Sequence, residues 1–174
     1  MNNPFQVYGP YQIDREKISQ RKWQNDKWTY IDDLVGADLS NAKGAYVYSL
    51  RHGDTYTPLY VGITNKGFRH EVFGVHNREK VHDNWKHERG TIIFHLLAKP
   101  KRAQIGFSKN IRKDWLLALE ALLIFMCRRR NEKLINKKHM KWLDAVGIVG
   151  VTDAEKQRGK PPEEIRSFKK VLKW

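Results

Sequence analysis

The sequence predicts an α+β domain: a small three-stranded sheet, mixed or antiparallel, flanked by helices. Three observations predict it. Two aromatic segments, Gly44-Ala45-Tyr46-Val47-Tyr48-Ser49-Leu50 and Pro58-Leu59-Tyr60-Val61-Gly62-Ile63-Thr64, alternate small or apolar residues with tyrosines around a turn-like Arg51-His52-Gly53-Asp54. A third apolar run, Thr91-Ile92-Ile93-Phe94-His95-Leu96-Leu97-Ala98, stops at Lys99-Pro100-Lys101. Trp115 to Cys127 is apolar at helical spacing, with Glu120 its one charge.

Residues 1–43 read as an N-terminal extension docked on the core. Asp14 is placed to cap a helix reaching Trp28, and Trp23, Trp28, Tyr30 and Ile31 would seat it. Asp32 to Asn41 is acidic and loop-like. The core, 44–146, opens with strands over 44–51 and 57–64. Gly53 and Asp54 suit the turn between them, and Pro58 can begin a strand but not sit in the middle of a ladder. Lys66 to His87 is basic and helical, with an interruption at Gly74. After the strand over 91–98, Asn110 is placed to cap a long helix ending near Arg130. A shorter helix is expected from Lys137 to Ala145, and Gly147 to Gly150 break it. In the basic tail, 147–174, Gly159-Lys160-Pro161-Pro162 precedes an amphipathic helix over Glu163 to Leu172. The three stretches read as one compact domain.

Charge narrows the function. Lysine and arginine number 33 against 19 aspartates and glutamates, a formal charge of +14. A domain that basic is built to meet a polyanion, nucleic acid first and an anionic membrane surface second. The single cysteine, Cys127, excludes an internal disulfide and a cysteine zinc cluster. Met1-Asn2-Asn3-Pro4 begins no apolar signal, and the longest apolar run is too short to span a bilayer. The expectation is a soluble, cytoplasmic protein with no membrane partner.

Glu120 is the sharpest single residue. At 100° per residue, Trp115, Leu116, Leu119, Leu122, Leu123 and Met126 form an apolar stripe, and Glu120 falls just beyond its edge. A partly desolvated carboxylate needs a cation or donors. A salt bridge to a nearby arginine or lysine supplies one; a hard divalent cation, satisfied by one or two carboxylates plus waters and phosphate oxygens, is the rival. Tyr46 and Tyr60, on adjacent strands, can point to the same side and meet a phosphate or a water, or they can be plain sheet aromatics. Lys66, Arg69, Arg78, Lys80 and Lys86 line the basic helix, and Arg78 shares a face with His82. An arginine there can bind a phosphate. Arg128, Arg129, Arg130, Lys133, Lys137, Lys138 and Lys141 form a second positive region, with Glu132 the one acid among them; this pattern suits backbone contact. The seven histidines show no zinc spacing.

Gly44-Ala45-Tyr46, then Tyr60-Val61-Gly62 with Thr64, resembles the GIY-YIG nuclease family, with Ala45 in place of the usual isoleucine. The resemblance covers about residues 44–136. It implies a small mixed sheet flanked by helices, one divalent cation, Mg²⁺ or Mn²⁺, and hydrolysis of a phosphodiester. It gives Glu120 as the metal-binding glutamate and Asn136 as the terminal asparagine, with Asn131 the weaker choice. The family's arginine corresponds either to Arg69, at the right distance from Tyr60, or to Arg78, which resembles the Arg-x-x-x-His of several members through His82. On this basis the expected function is a metal-dependent DNA endonuclease, of restriction or stand-alone type, acting on double-stranded DNA and dimeric if it cuts both strands. Lys66, Lys80, Lys86, Arg128, Arg129, Arg130, Lys137 and Lys138 would contact the DNA backbone, and residues 1–43 and 99–110 would read bases. The alternative is a nucleic-acid-binding module on a nuclease fold that does not cut.

Overall fold

A computed structural model describes residues 4–136 and 161–172. The chain divides into two compact units, Met1–Asn136 and Lys137–Trp174. The first holds an antiparallel sheet of β1 (Gln6–Gln12), β2 (Gly44–His52), β3 (Thr55–Thr64) and β4 (Thr91–Ala98), in the order β1-β4-β2-β3. Its helices are α1 (Arg21–Val35), α2 (Phe68–Glu71), α3 (Val75–Trp85) and α4 (Lys113–Arg130). The second unit contributes α5 (Glu163–Leu172), over the span expected for it. The helix expected from Lys137 to Ala145 and the break at Gly147 to Gly150 lie outside the described residues. Among the described residues no helix is long and apolar enough to cross a membrane.

The sheet has four strands, not three. The fourth, β1, comes from the stretch read as an extension. Gly9-Pro10 breaks its alternation, so no strand pattern shows in the sequence. Proline is tolerated because β1 is an edge strand whose register shifts between Tyr8 and Tyr11. Pro58 likewise sits inside β3, not at its start. β3 is the opposite edge, and the β2–β3 register shifts where Tyr48 pairs with Tyr60 and Ser49 with Pro58. The hairpin is tighter than expected, with His52 pairing Thr55 around Gly53, whose φ is +59°.

The first helix is displaced from Asp14–Trp28 to Arg21–Val35. Asp14 caps only a turn: its Oδ1 accepts from the Glu16 and Lys17 backbone N–H groups at 3.0 and 3.2 Å. Helix proper starts after Gln20 and runs into the stretch expected to be loop, ending at Gly36 in the left-handed conformation, φ +67°. Trp28 and Ile31 are buried; Tyr30 is exposed. Trp23 and Trp28 both pack on Phe73, at centroid distances of 5.3 and 5.2 Å. Gly74 does interrupt the basic segment, separating α2 from α3.

The main core gathers Trp28, Phe68, Val81 and Trp85 from the helices, and Phe73 from the turn between α2 and α3, against Tyr46, Tyr48, Phe94 and Leu96 of the sheet. α4 packs on β3 and β2. It begins at Lys113 behind Arg112, two residues later than expected from a cap at Asn110. Its buried face is Leu116, Glu120 and Ile124, at spacing four; Leu122 and Met126, placed on the apolar stripe by periodicity, are 55 % exposed. Glu120 therefore sits in the middle of the face α4 buries, not beyond its edge, because that side packs on β3 and β2 and leaves the richer apolar stripe partly open.

Candidate active site

Strand pairing brings the two tyrosines together. Tyr46 on β2 lies opposite Gly62 on β3, and Tyr48 lies opposite Tyr60. All four therefore share one face of the sheet. The rings of Tyr46 and Tyr60 are 6.2 Å apart, with Tyr48 5.6 Å from Tyr46 and 6.3 Å from Tyr60. Both glycines of the motif have steric reasons. A Cβ at Gly62 would overlap the Tyr46 ring and hydroxyl, and one at Gly44 would overlap the Leu97 carbonyl of β4. Glycine at these two places lets Tyr46 lie flat over β3 and lets β2 close on β4.

The hydroxyls have an order. Asn77 Nδ2 donates to Tyr46 Oη at 2.8 Å and to the Glu71 carbonyl at 2.7 Å. Asn77 Oδ1 accepts from Lys80 Nζ at 3.0 Å. The side-chain interaction between Tyr46 and Tyr60 favours ionisation of Tyr60 and opposes that of Tyr46. Tyr46 is 1 % exposed, and burial pushes its phenol far above the ordinary value. Tyr60 is half-buried; burial raises it first, then the Glu120 and Glu71 carboxylates. The Lys80 ammonium lies 4.3 Å from the centre of its ring. Tyr48 is withdrawn from this set, because its hydroxyl donates to the Val72 carbonyl in the core.

Glu120 lies close enough to Tyr60 for its charge to act on the phenol, and is 7 % exposed. Asn136 is bound to β3: its Oδ1 accepts from Val61 N at 2.8 Å and its Nδ2 donates to Val61 O at 2.7 Å. Asn131 serves the same strand, its Nδ2 donating to the Pro58 carbonyl at 2.7 Å. Both asparagines thus act on the backbone that carries Tyr60.

The two arginines stand elsewhere. Arg69 reaches back to the end of α1, with Nη2 3.4 Å from Ser40 Oγ and 3.9 Å from Asp32 Oδ2. Arg78 and His82 share a face of α3, as their spacing requires, and that face meets Ser19. Arg78 Nη1 donates to its carbonyl at 3.5 Å, and His82 Nε2 is 3.2 Å from its hydroxyl. The face of α3 turned to the tyrosines carries Asn77 and Lys80. Lys66 and Lys86 are exposed, as are Arg129 and Arg130 in the last turn of α4, where cations suit the helix dipole. Lys137 and Lys138 lie outside the described residues.

Sequence reasoning passed over Asn77 and Glu71. Asn77 had a signal: Asn77, Val81 and Trp85 recur at spacing four and are the buried face of α3, so it is the lone polar residue in an apolar row. Glu71, in a stretch with many cations, had none.

Among the described residues no cluster of three or more histidine, cysteine, aspartate or glutamate side chains could hold a metal. One carboxylate does not make a zinc site. It fits Mg²⁺, which retains waters and takes phosphate oxygens from its substrate. Compared with protein-family models, curated proteins and solved structures, the chain matches none.

Proposed function

We propose that the protein is a divalent-metal-dependent DNA endonuclease of GIY-YIG type, of the restriction or stand-alone kind. The observation that carries the reading is the paired Tyr46 and Tyr60 on adjacent strands, with buried Glu120 acting on Tyr60. The formal charge of +14 supports a polyanionic substrate. Glu120 would hold Mg²⁺ or Mn²⁺, which when bound stabilises the negative charge of the leaving 3′-oxygen.

Tyr60 has the better position for handling water. It is the more accessible phenol, its interaction with Tyr46 favours its ionisation, and a cation faces its ring. As phenolate it takes a proton from water while the water oxygen bonds to phosphorus and the bond to the 3′-oxygen breaks. The 3′-oxygen then takes a proton from solvent water, leaving a 5′-phosphate and a 3′-hydroxyl, and Tyr60 returns its proton to solvent. Tyr46, fixed by Asn77, orients Tyr60. Asn136 holds the strand beneath it. Lys66, Lys86, Arg128, Arg129 and Arg130 would hold the DNA backbone.

A non-cutting nucleic-acid-binding module is the second reading. It is favoured by one observation: neither Arg69 nor Arg78 stands against the tyrosines. Plasmid cleavage with Mg²⁺ by the wild type and by Glu120→Ala separates the two. The nuclease reading expects cleavage by the wild type alone. Equal cleavage by both, or none by either on a broad set of linear and branched DNAs, defeats it. Calorimetric titration of Mg²⁺ adds an independent check, since a pure binder has no need of Glu120 to take up the ion.

A further inference from the structure

We propose that Lys80 is the catalytic cation of the tyrosine site, its ammonium contacting a non-bridging oxygen of the scissile phosphate. The proposal rests on the nuclease reading and answers the question that reading leaves open, namely which cation meets the phosphate.

Three observations lead to it. Lys80 Nζ stands over Tyr60, and the two arginines named by the sequence are directed to Ser19 and to the Asp32–Ser40 turn. The ammonium is also held in place. One of its three donors bonds to Asn77 Oδ1, and the same amide bonds Tyr46, so one side chain fixes the spacing of the cation and the tyrosine pair. Among the described residues the other two donors take no hydrogen-bond partner, which leaves them for a ligand above the ring. Lastly, Lys80 is only half-buried, so its outer side can meet a substrate. Burial lowers the ammonium's pKa from its ordinary value, and the Glu71 and Glu79 carboxylates oppose that by favouring the charged form. A preorganised ammonium beside a developing phosphate charge stabilises the transition state more than the ground state.

Lys80 differs in kind from the surface lysines. A backbone contact contributes affinity; a contact at the reacting phosphate contributes rate. The test uses the full chain with Lys80→Met, Lys80→Arg and, as a surface control, Lys113→Met, an exposed lysine at the start of α4. Single-turnover cleavage is measured with Mg²⁺, and affinity for an uncut DNA duplex is measured by anisotropy in EDTA. Lys80→Met should cut about a hundredfold more slowly while binding duplex within about threefold of wild type. Lys80→Arg should recover part of the rate, and Lys113→Met should keep the full rate. Cleavage by Lys80→Met within about threefold of wild type overturns the proposal. So does a rate loss matched by an equal loss of affinity.

A second readout does not depend on cleavage. With lysines carrying ¹³C-methyl labels, the Lys80 resonance, assigned by its absence in Lys80→Arg, should shift when a metal-free duplex is added. No shift overturns the proposal even if Lys80→Met folds poorly. A shift with no cleavage by any variant upholds the phosphate contact and defeats the nuclease reading instead.

Discussion

Asn136 grips Val61 as a neighbouring strand would, giving its amide N–H to the Val61 carbonyl and taking the Val61 N–H on its own oxygen, at 2.7 and 2.8 Å. β3 is an edge strand, and an edge leaves backbone groups unpaired. The segment after α4 supplies the missing partners: Asn131 at Pro58, Ile135 at Leu59 and Asn136 at Val61. Tyr60 lies in the middle of this stretch, so the edge is fixed where the chemistry needs a fixed phenol.

Asn136→Ala should therefore destabilise the first unit by about 2–4 kcal/mol, because it leaves two buried backbone groups of Val61 unpaired. Urea unfolding measures it. A loss below about 0.5 kcal/mol, the range of an ordinary surface substitution, would show that water replaces the amide at no cost.

Gly62→Ala tests the close approach of Tyr46 to β3. The added methyl overlaps the phenol, and the overpacking should cost about 1–3 kcal/mol. Moving the ring also breaks the Asn77 bond, so cleavage should fall more than stability predicts. A variant that melts and cuts like wild type would mean that the phenol has another place to go.

Alkaline stability follows from the sign of the Tyr46 shift. Its folded-state phenol is raised above the unfolded value near 10, mainly by burial. Below about pH 10 both states hold the proton and the full stability is present. Above it the unfolded chain loses the proton first, so stability falls with rising pH. Each unit of difference is worth about 1.4 kcal/mol. Tyr46→Phe should be less stable than wild type at pH 8, having lost the Asn77 bond, and should lose stability less steeply above pH 10. Equal slopes in the two proteins would count against a buried, neutral Tyr46.

Cleavage should rise with pH. Burial and the Glu120 and Glu71 carboxylates raise the Tyr60 phenol, so near neutrality only a small fraction is phenolate. In single-turnover assays the rate should climb about tenfold per pH unit from pH 6 to 8. Tyr60→Phe should lower the rate by about 10²–10⁴-fold and flatten the profile. A steep profile that persists in Tyr60→Phe assigns the proton transfer to another group.

Much of the fold was legible in the sequence. β2, β3 and β4 alternate or run apolar between clear turn signals, and Gly74 and α5 fall where local chemistry places them. β1 was not legible: Gly9-Pro10 erases its alternation, and only an edge partner in β4 makes it a strand. The start of α1 was misread because Asp14 is as good a cap for one turn as for a helix, and only the docking of Trp28 and Ile31 selects the later start.

The sequence by itself determined the tyrosine pair, the glycine that makes room for one of them, the lone glutamate of α4 and the excess of positive charge. Each is a matter of residue type, spacing of two or four, or composition. Tertiary structure decided which cation meets the tyrosines. Arg78 and Lys80 are two residues apart on α3, so about 200° of helix separates them and only one can face the sheet. Spacing says which residues share a face; it does not say what lies opposite. That depends on Val81 and Trp85 turning one side of α3 into the core, which carries Asn77 and Lys80 to the tyrosines and leaves Arg78 and His82 beside Ser19.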